Sequence, residues 1–329
     1  MVGLGNIGTA VANLMASKGS PVLGWEYHRD TVEEINTTHT NSRYLPEIAL
    51  SHHLAATSVL DELCTCDVLF VALPALFIKQ TLEPYQHTIA PHTILVNLAK
   101  GIDRETGQTA FQTLSALFPQ NPRMMLAGPA IANELARGSP TVVVLAGPDI
   151  PDLLRVSRLL ETNHFRTRFT DDTIGVELGG ILKNVYTIGL GLFDGQNITS
   201  VNVRSVYLTI ALEEITRMGV ALGGKAETFS YLAGMGDLLA TALSQHSHNR
   251  RLGELLATGH TLQRVQDVMG VLPEGYNTMR FALSVAEKLH IPLPLAKGLW
   301  EVLHGAVSTE TFISSFARDF VYQGEESGW

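Results

Sequence analysis

Gly3, Gly5 and Gly8 stand in the spacing G-x-G-x-x-G, with Leu4, Asn6 and Ile7 between them. Glycines at those positions let the main chain approach a pyrophosphate without side-chain obstruction, and the N-terminus of a following helix favours the negative charge. The motif alone is weak, since a plain glycine-rich turn also matches it; the surroundings add weight. Residues 9–18 read as the following helix, and a second strand ends at Trp25 and Glu26, about 20 residues on. Glu26 or a neighbour could accept a hydrogen bond from a ribose 2'-hydroxyl. His28 and Arg29 could instead favour a 2'-phosphate, so NAD and NADP both stay open.

Three further residues have a chemical use where they stand. Lys183 lies in an apolar stretch after Gly179 and Gly180, where a helix could turn it inward. A lysine whose pKa is lowered by burial or by a neighbouring cation can both take and return a proton; a surface lysine is the alternative. Asp237 ends the run Gly234, Met235, Gly236 and leads into Leu238, Leu239 and Ala240, which also suits a helix cap. Lys100 follows the apolar residues 94–99 and so stands at the carboxyl end of a strand, where open α/β sheets place ligands. His246 and His248 form a His-x-His with no third ligand at a useful spacing, so no metal site is expected.

The elements that must position these residues change character near the middle of the chain. Strands are predicted at 21–25, 68–73, 93–99, 124–127, 141–146 and 165–170, with helix-compatible stretches such as 105–117 and 151–162 between them. Apolar strands alternating with helices mean an α/β fold, a doubly wound parallel sheet covered on both faces. Beyond Asp171 the pattern is helical only, at 203–219, 252–257, 261–269, 278–289 and 296–303. The expected division is a dinucleotide-binding domain at 1–170 and a helical substrate-binding domain at 171–329. One feature stands out. The glycine loop should follow a strand of about five residues, and only Met1 and Val2 precede it. A shifted or trimmed start explains this; an impaired cofactor site is the alternative.

Composition limits the function classes. The 329 residues carry 23 Lys and Arg against 32 Asp and Glu, a net charge of -9, which disfavours broad nucleic-acid binding. Hydrophobic residues make up 45% and charged residues 17%, too apolar for disorder. Cys64 and Cys66 cannot build a disulfide framework and read as buried free thiols. No run reaches the ~18–20 apolar residues of a membrane helix, and residues 1–16 lack the basic start of a signal peptide. A soluble cytoplasmic protein is the expectation.

Seven segments then fall in a telling order: 41–46 (Asn-Ser-Arg-Tyr-Leu-Pro), 100–102 (Lys-Gly-Ile), 128–134 (Gly-Pro-Ala-Ile-Ala-Asn-Glu), 175–184 (Gly-Val-Glu-Leu-Gly-Gly-Ile-Leu-Lys-Asn), 233–238 (Ala-Gly-Met-Gly-Asp-Leu), 247–250 (Ser-His-Asn-Arg) and 274–276 (Glu-Gly-Tyr). As a set, over residues 1–305, the chain resembles the NAD(P)-dependent sn-glycerol-3-phosphate dehydrogenases of bacterial type. The resemblance implies a Rossmann-type domain followed by an all-helical domain, with substrate in the cleft between. It implies interconversion of sn-glycerol 3-phosphate and dihydroxyacetone phosphate, hydride passing between carbon 2 and the nicotinamide of NAD or NADP. Lys183 would be the general acid/base and Asp237 would orient or tune it. Lys100, Gly128, Ala130, Asn184, Thr241, Ser247, His248 and Asn249 would meet substrate. Gly3, Gly5, Asn6, Ile7, Gly8, Glu26, Tyr27, Lys100, Ala132, His248 and Glu274 would meet the cofactor. A homodimer and a place in glycerophospholipid metabolism follow from the same likeness.

The chain also departs from that pattern. His248 stands where the resembled family has an arginine, whose planar fork binds oxyanions bidentately. Ala130 replaces Ser or Thr, Ile131 a frequent aromatic, and Ile210 an arginine. Arg250 and Arg251 are adjacent, but one helical position is a turn of ~100°, so they need not face the site. Four changes around one cleft point to altered substrate recognition with Lys183 and Asp237 kept. The alternatives are a dehydrogenase of another small hydroxy compound and a non-catalytic dinucleotide sensor.

Overall fold

The computed structural model describes residues 1–103, 105–244 and 247–322, with side chains as far as Phe316. Among these described residues seven short strands form: β1 Val22–Trp25, β2 Leu54–Thr57, β3 Val68–Val71, β4 Ile94–Asn97, β5 Arg123–Ala127, β6 Thr141–Ala146 and β7 Phe165–Thr170. β1 pairs with β2, β3 with β4 and β4 with β5, all in parallel. β6 runs antiparallel to β5, and β7 parallel to β6. The sheet is therefore parallel through β5 and reverses over its last two strands.

β1 and β3 do not pair with each other; residues 1–3 lie between them. Val2 bridges to Trp25 on one side and Val71 on the other, both in parallel. Val2 N donates to Phe70 O at 2.7 Å, Ala72 N to Val2 O at 2.9 Å, Gly3 N to Trp25 O at 3.0 Å and Trp25 N to Met1 O at 2.8 Å. The neighbours of the central strand are thus not left unpaired. They are only four residues long, and a three-residue partner satisfies most of their ladder.

Helices cover both faces: α1 Asn6–Ala16, α2 Arg29–Thr38, α3 Ala75–Leu82, α4 Ala110–Leu117, α5 Ala132–Ala136 and α6 Ile150–Leu160. Alternate strand residues choose the face, as the two-residue period requires. Phe70 and Val96 pack with Val11 of α1 and Leu153 of α6, whereas Leu69, Val71 and Leu95 pack with Ile78 of α3 and Leu114 of α4. Three sequence expectations need correction. β2, with the weak strand sequence Leu-Ala-Ala-Thr, is held by the Asn36 amide, which donates to Ala56 O and accepts from Ala56 N, both at 2.8 Å. α4 starts at Ala110, not 105, because Thr109 and Gln112 form a capping box and Asp103 gathers the N–H groups of Glu105 and Thr106. Of the two cysteines, Cys64 is buried and Cys66 only half-buried.

The second half is helical throughout its described length: α7 Thr173–Gly195, α8 Val201–Ala221, α9 Ala226–Phe229, α10 Asp237–Leu243, α11 His248–Ala257, α12 Leu262–Met269, α13 Glu274–Leu289, α14 Pro294–Leu303 and α15 Thr309–Tyr322. α7 is buried from Gly175 to Phe193, the mark of a central helix wrapped by others. Gly191 and Gly253 let α7 and α11 meet backbone to backbone. A Cβ at Gly253 would collide with Ile188 O and one at Gly191 with Arg250 O.

The two halves are tied by Glu177 of α7, whose carboxyl accepts from Thr109 Oγ1 at 2.7 Å and from Phe111 N at 2.8 Å, at the start of α4. Burial raises this carboxyl to about 7, against the opposing pull of those two hydrogen bonds. The folded group keeps its proton to about pH 7, whereas an unfolded glutamate releases it near 4.5. Folded protein therefore binds more protons between those values and loses stability as pH rises through them. Urea denaturation from pH 5 to 8 should show Glu177→Gln with a shallower decline than wild type, by up to ~1.4 kcal/mol per pH unit.

Candidate active site

The carboxyl ends of residues 1–3 and of β1, β3, β4 and β5 open on one side of the sheet, onto a cavity of about 990 Å³ that reaches the helical half at His248 and Glu274. At its base α1 begins with Gly5 as N-cap and no side chain capping it, so its first-turn N–H groups are free for an anion. A Cβ at Gly5 would meet nothing within 4 Å, whereas one at Gly8 would collide with Gly3 O. The loop is thus open toward the cavity and closed toward the helix, which fits a pyrophosphate and its ribose.

Lys183 projects from α7 into the seam between the halves. Its Nζ donates to Asp237 Oδ1 at 2.6 Å and to Thr241 Oγ1 at 2.5 Å. Lys100 Nζ, arriving from the loop after β4, donates to the other Asp237 oxygen at 2.6 Å. One buried carboxylate therefore sits between two ammonium groups, one from each half. Burial lowers Lys183 to about 8; Asp237 pulls it back up and Lys100 adds to the lowering. Asp237 opens α10 directly after a π-helical turn, Leu232–Gly236, and caps nothing: its N-cap is Gly236 and no cap hydrogen bond forms. The capping alternative is thereby corrected, because both carboxylate oxygens are taken by lysines. Single π-turns are frequent at functional sites, where they re-aim a side chain.

The expected site residues divide into three groups. Gly3, Gly5, Asn6, Ile7, Glu26, Tyr27, Lys100, Gly128, Ala130, Ala132, His248 and Glu274 line the cavity. Lys183, Asp237 and Thr241 form the buried cluster joined to it through Lys100. Gly8, Asn184, Ser247 and Asn249 lie off the lining. Gly8 faces Gly3, Asn184 is buried beside Lys183, Ser247 Oγ caps α11 at Arg250 N, and Asn249 Oδ1 accepts from Gly275 N at 2.9 Å. Burial raises Glu274 to about 7, with Lys100 opposing it. Pro74, Phe77 and Gln80, around the start of α3, line the cavity without having been singled out by sequence. Their signal was the position after β3, at the same carboxyl edge as Lys100.

The four departures do not cluster as expected. Ala130 and His248 line the cavity, but Ile131 is the N-cap of α5 and Ile210 packs half-buried against the helical core. Neither neighbouring arginine supplies the guanidinium expected at position 248. Arg250 is held by Asp194 and by the carbonyls of Ala242 and Ser244 at 3.0 and 2.8 Å, and Arg251 pairs with Glu254 at 3.0 Å. Among the described residues no group of three His, Cys, Asp or Glu could hold a metal, and His246 lies outside them. Among the described residues no helix is long and apolar enough to cross a membrane.

Sheet, glycine loop and helical half together define a Rossmann-type dinucleotide-binding protein with an appended helical domain. Residues 1–151 match the family described as NAD-dependent glycerol-3-phosphate dehydrogenase N-terminus, and residues 172–314 the one described as its C-terminus; the chain belongs to this family. It is 37% identical to the glycerol-3-phosphate dehydrogenase [NAD(P)+] of Carboxydothermus hydrogenoformans, over 92% of this chain and 91% of that protein. It is 36% identical to that of Lysinibacillus sphaericus, over 96% and 94%. The crystal structure of glycerol-3-phosphate dehydrogenase from Coxiella burnetii superposes with a TM-score of 0.88 at 30% identity, covering 96% of this chain and 97% of that one.

Removing the shared carboxylate leaves two ammonium groups facing each other in a buried seam. Asp237→Asn should cost about 3–5 kcal/mol at pH 7. The deficit should narrow as pH rises from 7 to about 8, where the variant's unpaired Lys183 has released its proton and the wild type's has not, and stay level from there to pH 10. Thermal melts across that range read both effects.

Proposed function

We propose that this protein interconverts sn-glycerol 3-phosphate and dihydroxyacetone phosphate with NAD or NADP, Lys183 acting as general acid/base. In this reading residues 1–170 hold the dinucleotide and residues 171–329 supply the proton-transfer group and most substrate contacts. The observation that carries it is the Lys183–Asp237–Lys100 cluster at the seam beside the dinucleotide cavity. The bound nicotinamide supplies or accepts the hydride. Lys183 Nζ does the rest of the bond-making: in reduction it gives a proton to the carbonyl oxygen at carbon 2, and in oxidation it takes the hydroxyl proton. A pKa of about 8 suits both directions. Asp237 and Thr241 hold Nζ in one orientation within a buried cluster. Lys100, turning from Asp237, provides the nearest cation for the substrate phosphate, with Gly128, Ala130, Asn184, Ser247, His248 and Asn249 as the other proposed contacts. The glycine loop, Glu26, Tyr27, Ala132 and Glu274 are proposed for the cofactor.

A cytoplasmic homodimer feeding glycerophospholipid metabolism completes the proposal. Exposed apolar side chains on α8 and α10, Val206, Leu239 and Leu243, support self-association; location and pathway rest on the likeness to the family.

A second reading, altered substrate recognition, is favoured by His248 and Ala130 in the cavity wall, where the resemblance to the family implies a bidentate guanidinium and a hydroxyl. Lys183→Ala should lower turnover about 10³-fold and leave NADH binding nearly unchanged. In wild type, kcat/KM for reduction should fall above pH about 8, where Lys183 loses its proton, and for oxidation should fall below it. Dihydroxyacetone phosphate and dihydroxyacetone compared side by side separate the two readings. Turnover of the phosphate alone supports the first, and His248→Arg should then lower its KM. Turnover of neither, with NADH still bound, supports the second.

A further inference from the structure

We propose that this enzyme takes NAD in preference to NADP and that the Glu26 carboxylate sets the preference. The inference rests on the dinucleotide reading of the cavity and decides which dinucleotide fits it. Glu26 follows β1 directly, at the carboxyl edge of the sheet, and lines the cavity although only 5% of its surface is exposed. Its main-chain N–H donates to Thr57 O at 3.0 Å, fixing the residue to β2. Its Oε1 accepts from His28 N at 3.0 Å, so the turn after β1 folds over the carboxylate and pins it.

An ionised carboxylate only accepts hydrogen bonds. A ribose 2'-hydroxyl in that corner can donate to it, and a charge-assisted bond results. A 2'-phosphate brings close to two negative charges and no donor, so it meets repulsion with little water to screen it.

A cation could reverse this, and the sequence offered candidates. The structure places no described lysine or arginine against Glu26 in the wall. Among the described residues that line the cavity, Lys100 is the one lysine or arginine, and it is held by Asp237 at 2.6 Å. Arg29 is an exposed first residue of α2 and is not part of the lining. Arg43, also outside the lining, is paired with Asp30 at 2.9 Å. His28 does reach the wall: its main-chain N–H serves the Glu26 carboxylate at 3.0 Å, and its ring, edge-on to Tyr27, offers an imidazole in place of a guanidinium. A guanidinium fork, the group that reads a 2'-phosphate, is missing from this lining.

The test is a comparison of NADH and NADPH by two routes. Direct titrations followed by nicotinamide fluorescence give both Kd values without any substrate. Initial rates with dihydroxyacetone phosphate give both kcat/KM values. Wild type should bind NADH at least about tenfold more tightly, with the same ratio in kcat/KM. Glu26→Gln keeps the volume and the acceptor for His28 N but removes the charge, and should shrink the ratio about tenfold, mainly through tighter NADPH binding. Arg29→Ala should leave the ratio unchanged. Equal or tighter NADPH binding by wild type overturns the proposal, as does a ratio unmoved in a folded Glu26→Gln. A shift toward NADH in Arg29→Ala also overturns it, since Arg29 would then be reading a 2'-phosphate. Absence of turnover with both cofactors, alongside the expected Kd ratio, counts against the proposed reaction and leaves the Glu26 assignment standing.

Discussion

Taking an ammonium or a carboxylate out of water costs several kcal/mol unless an opposite charge or a set of donors meets it inside. α7 is buried along most of its length and yet carries Glu177, Lys183 and Asp194. Each of them recruits a different part of the chain. Glu177 takes the start of α4 and so fastens the sheet half to the helical half. Lys183 takes Asp237, and Asp237 in turn takes Lys100 from the loop after β4. Asp194 takes Arg204 of α8 and Arg250 of α11. The position of the reactive lysine is thus a consequence of meeting three ionisable groups on one largely buried helix at once.

The same logic explains why the arginines near His248 are not spare. Arg250 is the partner that Asp194 needs, and its remaining donors go to the carbonyls of Ala242 and Ser244. Moving it toward the cavity would strip a half-buried carboxylate of its main partner. With Arg250 committed, Lys100 is the cation the cavity wall retains, and its own pairing with Asp237 means that an incoming anion must compete with that carboxylate. Gly191 and Gly253 let α7 and α11 meet backbone to backbone beside this arrangement.

On the sheet side, the constraint is hydrogen bonding. β1 and β3 each need a neighbour, and residues 1–3 serve both with a ladder barely longer than one bridge. The glycine loop leaves that ladder directly, so the turn that faces the cavity is anchored on both sides by main-chain bonds. Glu26 leaves the adjacent strand at the same level, which is why loop and carboxylate end up in one wall.

Much of this was legible in the sequence. Six of seven strands, the change to helices after Asp171 and the glycine loop follow from hydrophobic periodicity and residue type, because burial of apolar area and the freedom of glycine act locally. β2 was not legible: Leu54–Thr57 has little strand character and owes its form to β1 and to Asn36, 20 residues away. The reversal at β6 was equally hidden, since hydropathy carries no strand direction. Motif order marked Lys183, Asp237 and Lys100 as chemically useful. That Asp237 is shared by both lysines, that Ile210 and Ile131 stand away from the cavity wall, and that Arg250 is unavailable to it were decided only by tertiary structure. Periodicity and spacing are properties of neighbours along the chain, whereas the pairing of buried charges is a property of neighbours in space, here separated by 54 and 137 positions.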